Sequence, residues 1–233
     1  MHTIQVMTVL LKDLKGDKEV ETLLQMSEQQ LEAMGYTEHG RRHRLVVARR
    51  TAQILREWKM DKSDVELGKI SAHLHDVGCS ISRHNHAQNG ALIVYDLLTK
   101  RGMDFLSATK VSNAVGNHDE QVGIACTPIS AALIVADKSD VHFMRVRKTK
   151  LTEKKGLIDY SDIHDRVNFA VIDNSLVFDH QEKTIILNFD LNQQVSTPME
   201  YFEIFLNRMK MCKNATKSVG WKFKLVINKQ ILG

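Results

Sequence analysis

Proline is almost missing from this chain: 233 residues contain two, Pro128 and Pro198, and each follows a threonine. Each Thr-Pro pair reads as a helix start, with threonine as N-cap and proline at the first helical position. Cysteine is scarce as well. Cys79, Cys126 and Cys212 form no CxxC pair, which excludes a disulfide framework and suits free thiols in a reducing compartment. The formal net charge of +4 is too small to argue for a nucleic-acid partner. Internal repeats and low-complexity tracts are absent. The opening "MHTIQVMTVLLKDLKGDKEVE" lacks a basic leading region and a small-residue cleavage site, so it reads as neither signal peptide nor membrane anchor. The expected location is the cytoplasm.

What is present fits a globular chain: 43% hydrophobic and 26% charged residues are enough for a sizeable core. Basic residues gather in "RRHR" (41–44), "ARR" (48–50) and "RVRKTK" (145–150) and read first as solvated helix faces. Apolar periodicity predicts successive helices near 18–34, 40–58, 64–76, 85–101, 104–118 and 128–147. Ser63 with Glu66, and Thr197 with Glu200, have the spacing of capping boxes. Beyond residue 148 the character changes. "TKLTEKKGLIDYSD" reads as a charged linker or loop. "RVNFAVIDNSLVFDHQEKTIILNFDL" reads as strands broken by hairpin turns at "DN" and "DHQEK". An amphipathic helix over 198–219, stopped by Gly220, precedes a last strand, "WKFKLVIN". The expected architecture is mainly α: an N-terminal helical segment (1–34), a helical bundle (35–150), and a small C-terminal α+β domain (160–233) with an antiparallel sheet and one helix.

Eight of the eleven histidines lie between positions 39 and 142. Helical spacing puts His43 on a stripe with Val47, Ile54 and Trp58, and His75 with Val65, Gly68 and Ala72. His86 aligns with Gly90, Ile93 and Leu97, and His118 with Val111, Ala114 and Val115. Asp137 follows Leu133 and Ile134. A single histidine on an apolar stripe is usually a satisfied core residue. Burying four of them with two aspartates, each alone, would cost on the order of several kcal/mol apiece. A shared metal centre satisfies them together, and imidazole with carboxylate suits Fe, Mn, Zn or similar divalent ions.

The ordered set His43, His75-Asp76, His86, His118 and Asp137 resembles the HD superfamily of metal-dependent phosphohydrolases. The resemblance spans roughly residues 35–147 and is carried by "HRLVVARRTAQIL", "HLHDVG", "HAQNGALIVYDLL", "AVGNHDE" and "LIVADKSD". It implies an HD-type helical bundle in which His43, His75, Asp76 and Asp137 hold one metal. His86 and His118 would hold a second, with Asp76 bridging. It also implies two divalent transition-metal ions, Fe or Mn first and Zn, Ni, Co or Mg as alternatives, and Asp76 as a catalytic group. Lys138, beside Asp137, reads either as a catalytic contact to the phosphate or leaving group or as a solvated helix lysine. The short His75-to-His86 spacing resembles that of bacterial HD enzymes that hydrolyse diadenosine tetraphosphate. The "GYP" segment of cyclic di-GMP phosphodiesterases is missing. Cys79 stands where many HD proteins place a lysine, so Arg83 or Lys138 is expected to make that phosphate contact. "ADKSDVHFMR" is similar to the matching helix of HD-type alarmone hydrolases and adds Arg145.

Asp140 and Glu120 are either orienters of the ligands or surface acids. His39, His73, His84 and His142 are expected to be non-ligands, with His84 the rival of His86 in "HNH". The leading expectation is a hydrolase of a small phosphorylated, nucleotide-like substrate, working through metal-activated water. The alternatives are a di-iron oxygenase and a ligand-sensing module. Neither a membrane nor nucleic acid is expected as a partner, and the C-terminal domain is left for regulation or a homodimer interface.

Overall fold

The computed structural model describes residues 9–147 and 161–232, together with the backbone of 153–154 and 157–158. The first eight residues of the opening segment, Lys148–Lys150 of the last basic cluster, and most of the charged linker lie outside the described residues.

A short helix α1 (Leu11–Leu14) leads into α2 (Lys18–Ala33), α3 (Arg41–Glu57) and α4 (Lys62–Leu74). A 3-10 turn (Val77–Ser80) follows, then α5 (His86–Lys100), α6 (Phe105–Gly116) and α7 (Pro128–Lys138). A second 3-10 turn (Phe143–Arg145), a two-residue pair β1 (Glu153–Lys154) and β2 (Leu157–Ile158), and α8 (Ile163–Ala170) come next. The chain finishes with β3 (Val171–Asp179), β4 (Thr184–Leu191), α9 (Pro198–Ser218), β5 (Lys222–Ile227) and β6 (Gln230–Ile231). Among the described residues, no helix is long and apolar enough to cross a membrane.

The helix starts follow cap chemistry. Thr127 and Thr197 each cap a helix with proline at its first position, and Glu200 completes the second box by accepting from Thr197 N at 2.9 Å. The expected Ser63–Glu66 box does not form. Asp61 caps α4 by accepting from Asp64 N at 2.7 Å, while Glu66 accepts from Leu11 N at 2.8 Å and ties α1 to α4. The helix expected over 128–147 ends at Lys138. Arg50 donates to Ser139 O at 2.7 Å, taking a carbonyl that a further turn would need, and Asp140 is held by other partners.

The sheet runs in the order β3-β4-β5-β6. β3–β4 and β5–β6 pair antiparallel as expected, but β4 and β5 pair parallel, because α9 crosses over between them. "DHQEK" makes the β3–β4 hairpin, whereas "DN" makes no turn: Asp173 and Asn174 continue β3 after a register shift at Ile172. "RVNFA", the opening of the expected strand run, belongs instead to α8, which is started by Asp162 accepting from His164 N at 2.8 Å. One hydrophobic cluster joins the helices to the sheet, running from Leu24, Ile54 and Leu133 to Phe189, Tyr201, Phe205 and Leu225.

Candidate metal centre

α4 ends where the site begins. His75 is the C-cap, still in helical geometry, and Asp76 (φ −93°, ψ 4°) turns the chain into the 3-10 segment. Both side chains stay buried at this turn. Gly78 allows this turn to lie directly on α5, since a Cβ there would stand 2.0 Å from His86 O and 2.5 Å from Gly90 N.

Six side chains from five helices and their ends converge. His43, His75, His86 and His118 are each at most 1% exposed. Three imidazoles have Nδ1 against a backbone carbonyl: His75 with Ala72 O at 2.9 Å, His86 with Arg83 O at 3.1 Å, and His118 with Val115 O at 2.6 Å. His43 Nδ1 lies 2.7 Å from Asp140 Oδ2. In a neutral ring whose Nδ1–H is held in this way Nε2 carries a lone pair, and that of His86 takes Arg83 Nη1 at 2.9 Å. These lone pairs face one another, His43 with His75 at 3.3 Å and His86 with His118 at 3.1 Å. Two opposed lone pairs cannot bond each other. Asp76 stands between the pairs. Its Oδ2 is 3.1 Å from His75 Nε2, and its Oδ1 is 3.6 Å from both His86 and His118. Asp137 Oδ1 is 3.2 Å from His43 Nε2 and 3.7 Å from His75 Nε2. Donor atoms of His43, His75 and Asp76, and likewise of His75, His118 and Asp137, lie within 4.8 Å of one another. Inward lone pairs with outward N–H groups held by carbonyl or carboxylate are what a divalent cation requires, so the residues present fit such an ion.

Burial alone would lower His75, yet Asp76 and Asp137 beside it raise it. Burial alone would raise the Asp76 and Asp137 carboxyls, yet both are held well below the usual range, Asp76 by the neighbouring imidazoles and Asp137 by Lys138 and His43. Burial lowers His86 to about 3, with His118 adding to the effect, so it stays neutral and able to ligate.

Around this centre, Asp140 is far from a surface acid. At 3% exposure it binds His43, Arg42 at 2.9 Å and Arg145 at 3.4 Å. Glu120 is ion-paired with Lys138 Nζ at 2.8 Å and accepts from Arg208 Nε at 3.1 Å. Both acids therefore orient the centre. Lys138 also donates to Asp137 Oδ2 at 2.7 Å. The solvated-face reading of the basic clusters fails at Arg42, Arg50 and Arg145, which are engaged by Asp140, Ser139, Asn174 and His39. His84 is exposed and outside the cluster. His39, set aside as a non-ligand, packs its ring 5.3 Å from that of His43 and accepts from Arg145 Nη2 at 2.8 Å. Cys79 is fully buried, with its thiol within 4.8 Å of Asp76 and His86 donors and pushed up to about 12 by burial.

The cluster opens through His39, Arg83, Arg145 and Arg208 into a cavity of about 320 Å³. Its outer wall includes Tyr36, His164, Asn168 and Phe205. Sequence reasoning assigned no chemistry to the C-terminal segment and missed Arg208. Its one signal is its place three residues after Phe205 and one before Met209, on the flank of the α9 apolar stripe.

The HD domain pattern matches residues 42–166, more than half of the chain. The chain belongs to the HD-domain family, and its helices with the convergent His/Asp set are the HD-type bundle. It is 28% identical over 152 residues to an uncharacterised protein of Methanocaldococcus jannaschii, covering 55% of this chain and 58% of that relative. The match thus spans little more than half of the relative's length. It is also similar to the crystal structure of a predicted HD superfamily hydrolase from an uncultured Thermotogales bacterium. That similarity has a TM-score of 0.42 and 22% identity, covering 57% of this chain and 75% of that one.

Proposed function

We propose that the chain is a metal-dependent phosphohydrolase acting on a small phosphorylated, nucleotide-like substrate. One observation carries this reading: four inward Nε2 lone pairs and two ionised aspartates adjoin a cavity whose mouth is lined by three arginines. His43, His75, Asp76 and Asp137 would hold one divalent ion, and His86 and His118 with Asp76 a second. Such ions supply Lewis acidity, polarising a phosphoryl oxygen and acidifying water at neutral pH.

The protein's own residues do the positioning. Asp76 offers one carboxylate oxygen to each histidine pair. Asp140, gripped by Arg42 and Arg145, fixes the tautomer of His43. Lys138 keeps Asp137 ionised and turned towards His43 and His75. Arginines at the cavity mouth neutralise the oxygens of a bound phosphate, as phosphoryl transfer demands.

Purified protein should carry about two transition-metal ions per chain, and Asp76→Ala should abolish phosphoester hydrolysis while the chain stays folded. Metal analysis that finds no ion, even after reconstitution with Fe or Mn, sinks the reading. Hydrolysis at an unchanged rate without dioxygen separates it from a di-iron oxygenase.

A further inference from the structure

Of the cationic groups at the cavity mouth, two are already committed to buried partners. Lys138 is 7% exposed, and its ammonium already serves Asp137 and Glu120. Arg145 is 4% exposed, and its two terminal nitrogens serve Asp140, His39 and Thr37. Neither can turn to a ligand without uncovering a buried carboxylate or carbonyl.

Arg83 and Arg208 differ from both. Their side chains are 21% and 25% exposed. Arg208 spends Nε on Glu120 at 3.1 Å, and among the described residues neither terminal nitrogen of its guanidinium has a partner. Arg83 Nη1 lies 2.9 Å from His86 Nε2, a lone pair that a second ion would take, and its other nitrogens have no partners among the described residues. Each guanidinium lies over an aromatic ring, Arg83 over Tyr36 at 5.3 Å and Arg208 over Phe205 at 4.8 Å. The ring beneath each, and for Arg208 the Glu120 anchor at one edge, remove part of the freedom an arginine loses on gripping an anion. Both residues line the cluster and the cavity alike.

We propose that Arg83 and Arg208 form a two-arginine clamp for the phosphoryl oxygens of the substrate, so that the C-terminal helix α9 completes the site. This rests on the phosphohydrolase reading. Planar guanidinium groups with open edges match phosphate geometry, whereas a pinned ammonium does not. Arg208 lies outside the span 42–166 that matches the family pattern, so the HD segment by itself holds half of the clamp. Glu120 links the two halves of the machinery: one carboxylate orients Lys138 beside Asp137 and also anchors Arg208.

The test measures binding of inorganic phosphate to the full metal-loaded chain by calorimetry, without turnover. Arg208→Gln keeps a donor for Glu120 and should weaken phosphate binding about tenfold, with metal content unchanged. Arg208→Lys should recover part of the loss, since it restores charge without the fork. Under hydrolysis conditions, Arg208→Gln should raise KM for a phosphoester by a similar factor. Parent-like phosphate binding in Arg208→Gln overturns the clamp and leaves the hydrolase reading standing. A metal-loaded parent that binds no phosphate overturns both.

Discussion

At the scale of single residues, each histidine is defined by what its second nitrogen meets. His75, His86 and His118 are fixed by carbonyls of their own local turns, and His43 by Asp140. His73, two positions before His75, is buried at 7% exposure with Nε2 unpartnered. Burial, reinforced by Arg44 and Lys15, lowers its pKa from 6.5 to about 4. The folded state therefore favours the neutral ring. The corresponding stability is present in full above pH 6.5 and is lost as pH falls towards about 4, by an amount on the order of 3 kcal/mol. His73→Gln should flatten that loss relative to the parent when urea unfolding is compared at neutral and acidic pH. Equal acid sensitivity in the two proteins would show that His73 titrates normally. The direction of a buried side chain follows from helical period, so the six candidate ligands could be read from the sequence. Asp140 could not, because its partner His43 is 97 positions away.

At the scale of elements, the centre depends on how closely the turn after α4 approaches α5. Gly78 and Gly90 face each other there: a Cβ on Gly78 meets the α5 backbone, and one on Gly90 meets Val115 and Gly78 N at 3.2 and 3.3 Å. Backbone cannot step aside as a flexible side chain can. Gly78→Ala should cost about 1–3 kcal/mol and move His75-Asp76 away from His86. Loss of the second metal site alongside a lower Tm is the expected result, read by metal analysis and thermal unfolding. Full metal content in this variant would mean that the contact is not what sets the spacing. Helix starts at Thr127 and Thr197 could be read from the sequence because caps are local chemistry. The end of α7 could not, since Arg50 of a distant helix takes Ser139 O. Nor could α8, whose "RVNFA" has the composition of a strand and becomes helical under the Asp162 cap.

At the scale of the molecule, helices and sheet share one core rather than two. Arg50 of α3 bonds Ser139 after α7 and Asn174 of β3, and Trp58 at the end of α3 lies tilted against Trp221, just before β5, with ring centroids 6.3 Å apart. His180 of the hairpin pairs with Glu57 at 2.9 Å. Unfolding should accordingly be one cooperative event, with tryptophan fluorescence and far-UV circular dichroism giving coincident denaturant transitions. Two separated transitions would show that the C-terminal sheet unfolds on its own.

The sequence by itself determined the starts of most helices before residue 138, the threonine caps at Thr127 and Thr197, and the helical faces that carry His43, His75, His86, His118 and Asp137. Each of these depends on neighbours within a few turns of the same helix. Only the tertiary structure decided that Lys138 and Arg145 are already paired, that the buried Asp140 and the half-buried Glu120 orient the site, and that Arg208 of α9 reaches the cavity. Those facts depend on which groups meet across long stretches of chain, and pairing in a buried site turns on distances that no local periodicity encodes.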